Sequence, residues 1–193
     1  MFTRIPRGIA ALALMGSLTL TACDSGEPDD DGPGEQELIT QVNVMLTPEG
    51  GGAEQMFTLN YDALGNLTGT SGQVNLSPGV TYGGEIELLD TINNEDITEE
   101  IEEEAEEHLF AYTLSPASAG TVSITDVESD YTSGDENGGD FLVGLQFEIA
   151  VSPTASGTAT MTGILYHFDD EPKTGSMVTS DEIDVEFDVA LTF

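Results

Sequence analysis

Ile183-Asp184-Val185-Glu186-Phe187-Asp188-Val189-Ala190-Leu191-Thr192-Phe193 decides the fold. Every odd-numbered residue in this stretch is apolar, and the residues between are acidic or small. Successive side chains of a strand point to opposite faces. The pattern therefore buries Ile183, Val185, Phe187, Val189, Leu191 and Phe193, and leaves Asp184, Glu186, Asp188, Ala190 and Thr192 in water. Phe141, Val143, Leu145, Phe147, Ile149 and Val151 repeat the pattern against Leu142, Gly144, Gln146, Glu148 and Ala150. Weaker versions run through Leu38–Leu46, Met56–Tyr61, Gln73–Leu76, Tyr82–Leu89, Leu109–Leu114, Thr121–Val127 and Gly157–Phe168. Turn residues separate them at Pro48–Gly52, Gly65–Asn66, Ser77–Gly79, Ser115–Gly120 and Ser152–Gly157. Strands with one wet face and regular turns predict a mainly β domain, an antiparallel Ig-like β-sandwich of about eight or nine strands.

One segment keeps a different period. Between Glu95 and His108, apolar residues fall at Ile97, Ile101 and Ala105, with Leu109 next in the series. That stripe predicts a short acidic helix over about 96–107. Asp96 and Glu99 resemble a capping box, and acids in the first turn suit the positive helix end. Glu106 and Glu107 lie at the unfavourable end, so the helix needs its Ile stripe packed on the sandwich to persist.

The N-terminal residues carry an address. Met1–Arg7 holds two of the chain's three basic residues, and Gly8–Leu20 is an apolar run too short for a bilayer-spanning helix. Leu20-Thr21-Ala22-Cys23 then resembles the lipobox of bacterial lipoproteins, with 1–22 as the signal peptide. In that class a diacylglyceryl group joins the cysteine thiol, and cleavage makes the cysteine the mature N-terminus. Cys23 is the chain's only cysteine, so lipidation is its simplest use. Residues 23–36, which beyond the cysteine have no apolar side chain and are rich in Gly, Pro and acids, predict an extended acidic tether. Residues 37–193 hold enough Val, Ile, Leu, Phe and Met to fill one core, giving a single β-sandwich domain.

Charge limits the partners. All 37 acidic residues follow Cys23, against one basic residue, Lys173, hence a formal −36 for that part of the chain. Such a surface repels nucleic acid and anionic headgroups and attracts cations. Adaptation to a saline habitat accounts for this acidity more simply than a specific cation site does, since salt screens the repulsion. The expected partners are a membrane, reached through the N-terminal lipid, and cations; the expected state is a monomer.

Three stretches carry a family resemblance: Glu37-Leu-Ile-Thr-Gln-Val-Asn-Val-Met-Leu-Thr-Pro48 after an acidic tether, Tyr82-Gly-Gly-Glu-Ile-Glu-Leu-Leu-Asp90, and Glu95-Asp-Ile-Thr-Glu-Glu-Ile-Glu-Glu-Glu-Ala-Glu-Glu-His108. Together with the lipobox they resemble a family of small bacteroidete-type lipoproteins described as "type 1 periplasmic binding fold superfamily protein". A late His-x-Pro-x-Lys-like element of that family is matched loosely by His167-Phe-Asp-Asp-Glu-Pro172-Lys173, with extra residues. The description implies a doubly wound α/β solute receptor. One helix among strands, at this length, reads instead as a sandwich.

Chemistry-bearing residues are few. His108 and His167 are the only imidazoles, flanked by Glu107 and by Asp169, Asp170 and Glu171. Imidazole with carboxylate suits a divalent transition metal if the two ends converge, which makes His108, His167, Glu107 and Asp169 the candidate ligands. The simpler reading assigns no metal or other cofactor. In that reading His108 offsets the end of the helix and His167 pairs with a neighbouring carboxylate at a strand end, the two imidazoles lying apart. Asp130–Asp140 resembles a calcium loop without its full pattern and reads as a hairpin tip. No Gly-x-Ser-x-Gly element or cysteine nucleophile supports an enzyme. Lack of tryptophan and scarcity of tyrosine argue against a transmembrane barrel. The expectation is a non-enzymatic, lipid-anchored binding or interaction module of the cell envelope, at the outer membrane rather than the inner. The alternative is a solute- or metal-capture lipoprotein serving an outer-membrane transporter.

Overall fold

A computed structural model describes residues 37–132, 139–168 and 173–193. The described chain is mainly β and forms two sheets facing each other across one apolar core. Its strands are β1 (Gln41–Pro48), β2 (Gln55–Tyr61), β3 (Leu67–Gly72), β4 (Val74–Asn75), β5 (Thr81–Asp90), β6 (Glu95–Asp96), β7 (His108–Ser115), β8 (Gly120–Ile124), β9 (Gln146–Val151), β10 (Thr158–His167) and β11 (Glu182–Thr192). The larger sheet runs β3-β2-β1-β5-β9-β8, with β6 on the end of β5; the smaller runs β4-β11-β10-β7. All neighbours are antiparallel except β4 and β11.

The alternating rows meet in the middle. Val42, Val44 and Leu46 of β1, Ile86 and Leu88 of β5, and Phe147 and Ile149 of β9 come from one sheet. Met161 and Leu165 of β10 and Phe187, Val189 and Leu191 of β11 come from the other; all are buried. Each sheet makes room for a ring with a glycine. Gly163 pairs with Phe187 and Gly84 with Phe147, and a Cβ at either glycine would fall 2.5 and 2.3 Å from the ring it faces.

Two features depart from the sequence reading. Residues 141–151 do not form one strand, because Gly144 takes φ 97° and interrupts the alternation. The Val143 carbonyl accepts the Phe110 amide of β7 at 2.7 Å, and the Leu145 carbonyl accepts the Ile86 amide of β5 at 2.9 Å. The segment thus stitches one sheet to the other before β9 begins. Strands β3 and β6 also carry no apolar alternation to announce them, and every residue of both is exposed.

The helix α1 spans Ile97–Glu103, shorter than the expected 96–107. Asp96 caps it by accepting the Thr98 amide at 3.1 Å. The Thr98 hydroxyl docks the first turn by bonding both the amide and the carbonyl of Leu88. Ile97, Ile101 and Ala105 are buried as the stripe requires. Residues 104–107 form turns instead of helix, with no basic residue to offset the dipole among consecutive glutamates. No helix among the described residues is long and apolar enough to cross a membrane.

Candidate metal centre

His108 opens β7 and His167 closes β10, and the antiparallel register sets them directly opposite each other. Both point into the sandwich, in line with Phe110 on one strand and with Met161 and Leu165 on the other. The rings lie 4.6 Å apart between centroids, tilted by 32°. The expectation of separated imidazoles is therefore corrected: two ends distant in sequence become a cross-strand pair.

A slip in the ladder supplies the third group. Leu165 pairs with Val185 and Tyr166 with Ile183, so Asp184 has no partner on β10. This is a β-bulge, which adds one residue and re-aims the side chains beyond it. Ile183 moves outward to 38% exposure, and Asp184, which strict alternation would put in water, has a side chain with no exposed area. The fourth group is Glu37, from the segment leading into β1 of the other sheet. Its side chain is 6% exposed and reaches across to the paired imidazoles.

One ligand atom from each of Glu37, His108, His167 and Asp184 lies within 4.8 Å of all the others. Nε2 of His108 is 3.1 Å from Glu37 and 3.6 Å from Asp184; Nδ1 of His167 is 3.7 Å from Glu37 and 3.5 Å from Asp184. These separations involve both oxygens of each carboxylate; one atom from each residue converges to within 4.8 Å, so a tetrahedral ion, whose neighbouring ligands lie about 3.3–3.4 Å apart, would draw the four slightly inward. Both carboxylate oxygens of Asp184 and Oε2 of Glu37 are buried without a hydrogen-bond partner, as is Nε2 of His167. Buried polar atoms are seldom left so, and unpaired oxygens converging on two imidazole nitrogens suit a cation.

The surrounding shell orients the ligands. Nδ1 of His108 lies 3.1 Å from the Glu104 carbonyl. A carbonyl only accepts, so Nδ1 donates to it and the ring is held with Nε2 facing the cluster, 3.1 Å from Oε1 of Glu37. The amides of Phe168 and Lys173 bond the carbonyls of Glu107 and Glu106, tying the chain after His167 to the turn before His108. The Lys173 ammonium is buried among the carbonyls of Ala105 and His108 and the Glu128 carboxylate, the last at 3.1 Å. Burial pushes its pKa down, opposed by Glu128.

The electrostatics are those of a compact charged knot. The adjacent Asp184 carboxylate raises the His167 pKa to about 9 against the cost of burial, with help from Glu37. For Glu37, burial alone would raise the pKa, but the His108 imidazole outweighs it and holds the carboxyl lower than usual. Asp184 is raised by its burial. Without a metal, a proton on His167 answers part of the carboxylate charge.

Of the ligands expected from sequence, His108 and His167 enter the cluster. Glu107 stays outside it, its Oε2 buried without a partner, and Asp169 lies outside the described residues. Glu37 and Asp184 were not expected, since local sequence shows neither the cross-sheet reach of the one nor the bulge at the other. In the Asp130–Asp140 stretch, residues 133–138 lie outside the described residues. Its ends serve the loop itself: Asp130 accepts the Val127 amide and Asp140 the amide and hydroxyl of Ser129. A separate cleft of about 390 Å³ opens between β7 and β8, walled by Phe110, Tyr112, Val122, Ile124, Leu142 and Met177. Its lining contains no acid, histidine or cysteine, and none of it belongs to the cluster.

Compared with family models, curated proteins and solved structures, the chain matches none.

Proposed function

We propose that this chain is a lipid-anchored protein of the cell envelope whose folded domain is a non-enzymatic module holding one divalent transition-metal ion. The observation that carries the metal assignment is the convergence of Glu37, His108, His167 and Asp184 in a buried group, three of whose carboxylate oxygens have no hydrogen-bond partner. Two imidazoles and two carboxylates favour a transition ion over calcium or magnesium, which take all-oxygen shells. Near-complete burial of all four side chains leaves no open face for a substrate, which supports a holding role. The lipobox-like Leu20–Cys23 supports the anchor.

The test is the metal content of the full-length protein extracted in detergent from membranes. One ion per chain is expected, lost when His108 and His167 are both changed to alanine. An empty wild-type protein, or equal content in the double variant, would refute the metal assignment. Cys23→Ser should move the protein out of the membrane fraction; persistence there at high salt would remove the anchor.

The same cluster admits a second reading, capture of metal for an outer-membrane transporter. Capture requires release on the timescale of transport. Isotope exchange of the bound ion distinguishes a carrier, which exchanges within minutes, from a holding site, which does not.

A further inference from the structure

We infer that the ion at this site is a closed, four-coordinate clasp of the zinc type, fastening the segment ahead of β1 to the opposite sheet. The inference rests on the metal-binding reading above and adds the geometry of the site and its task. Three ligands, His108, His167 and Asp184, stand on the adjacent strands β7, β10 and β11 of the smaller sheet. Only Glu37 comes from the lead-in to the larger sheet. An ion bound by all four therefore joins the two layers at one end of the sandwich.

The donor set and burial agree with that task. Side-chain exposures of 0, 1 and 0% for His108, His167 and Asp184, with 6% for Glu37, describe a closed shell. Two carboxylates neutralise a divalent ion, which a site this dry requires. One ligand atom from each of the four lies within 4.8 Å of the others, and a small inward movement reaches the edge of about 3.3–3.4 Å of a zinc-sized tetrahedron.

Position gives the clasp its meaning. Glu37 directly follows the acidic stretch 24–36 in sequence and is the first of the described residues. Beside Glu37's own reach, the lead-in is held by Ile39 in the core and by Thr40, whose amide bonds the Leu89 carbonyl at 3.0 Å and whose hydroxyl accepts the Thr91 amide at 2.7 Å. A bound ion pins Glu37 to strands contributed from as far along the chain as Asp184, so that the lead-in to β1 cannot part from the smaller sheet while the ion stays.

The experiment uses the full-length protein in detergent, stripped with a chelator and reloaded with cobalt(II) or zinc(II), followed by visible absorption and amide hydrogen exchange. One equivalent of cobalt should give the intense bands of four-coordinate cobalt, bleached by zinc. With zinc free at about a hundred times its Kd, exchange at the Ile39 and Thr40 amides should slow by up to about a hundredfold. Glu37→Gln should weaken zinc binding by at least about tenfold and abolish that slowing. Circular dichroism should show the variant folded; if it is not, exchange at the two amides with and without zinc in the wild type decides alone. Stoichiometric binding with unchanged exchange, or with full affinity in Glu37→Gln, overturns the clasp and leaves metal binding standing. Weak six-coordinate cobalt bands overturn the closed geometry. Absence of stoichiometric binding overturns the metal reading itself.

Discussion

Asp184 stands 3.5 Å from Nδ1 of His167 because the ladder between β11 and β10 slips by one residue between them. A single extra residue thus converts a solvent-facing position into one buried against an imidazole. Restoring the regular register should undo it. Deleting Asp184 should leave the strands paired, with Ile183 still facing outward opposite Tyr166 and next to inward Val185, and the variant should retain its fold by circular dichroism while losing stoichiometric zinc.

Metal-free protein should lose stability on the alkaline side. His167 has its pKa raised from 6.5 to about 9 in the fold, chiefly by Asp184. A raised pKa means that the folded state holds the proton more tightly than the unfolded chain. Its contribution is then complete below pH 6.5 and disappears as pH climbs through 9. Urea midpoints measured in chelator should fall between pH 6.5 and 9.5, and His167→Gln should flatten that limb.

The helix is fastened by Ile101, which is fully buried, whereas Glu103 is exposed. Ile101→Ala should cost about 2–5 kcal/mol in denaturant unfolding, as large-to-small core changes do. Glu103→Ala should be neutral or slightly stabilising, since it thins a run of like charges. Equal small effects would mean that the helix contributes nothing to the core.

Lys173 should be worth more than any surface charge. Lys173→Met removes the buried cation from the Glu128 carboxylate, which keeps the Phe141 amide, and from the carbonyls of Ala105 and His108. Breaking a buried pair by removing one partner costs about 3–5 kcal/mol. Chemical denaturation measures it, and a loss under 1 kcal/mol would show the pocket to be wet.

Salt should stabilise the protein. Lys173 is buried, so no lysine or arginine side chain is exposed among the described residues, and the surface charge is of one sign. Screening shortens from about 10 Å at 0.1 M to about 3 Å at 1 M salt, which relieves the repulsion and leaves apolar contacts intact. The thermal midpoint should rise over that interval; a flat response would mean that bound cations already neutralise the carboxylates.

The sandwich was legible because its strands alternate. Val185, Phe187, Val189 and Leu191 are buried as their spacing requires, and Ile97 and Ile101 pack as a helix face should, with Ala105 buried in the turn beyond. The pattern failed where backbone conformation overrode it, at Gly144, whose positive φ ends the alternation, and at Asp184, where a bulge inverts it. The site was legible only by half. Two histidines signal chemistry by residue type alone, but their meeting depends on β7 and β10 being neighbours, which no local pattern encodes. Glu37 was hidden among many acids, distinguished only by its reach across the core.

Concealing the one lysine beyond Cys23 also hides it from reagents. Trypsin cuts after lysine and arginine, so residues 37–193 present it no exposed lysine or arginine among the described residues when folded, and a single cleavable bond, after Lys173, when unfolded. Cleavage after Lys173 therefore reports openings of the fold that release this side chain. Amine-directed labels and crosslinkers likewise find no lysine on the intact surface.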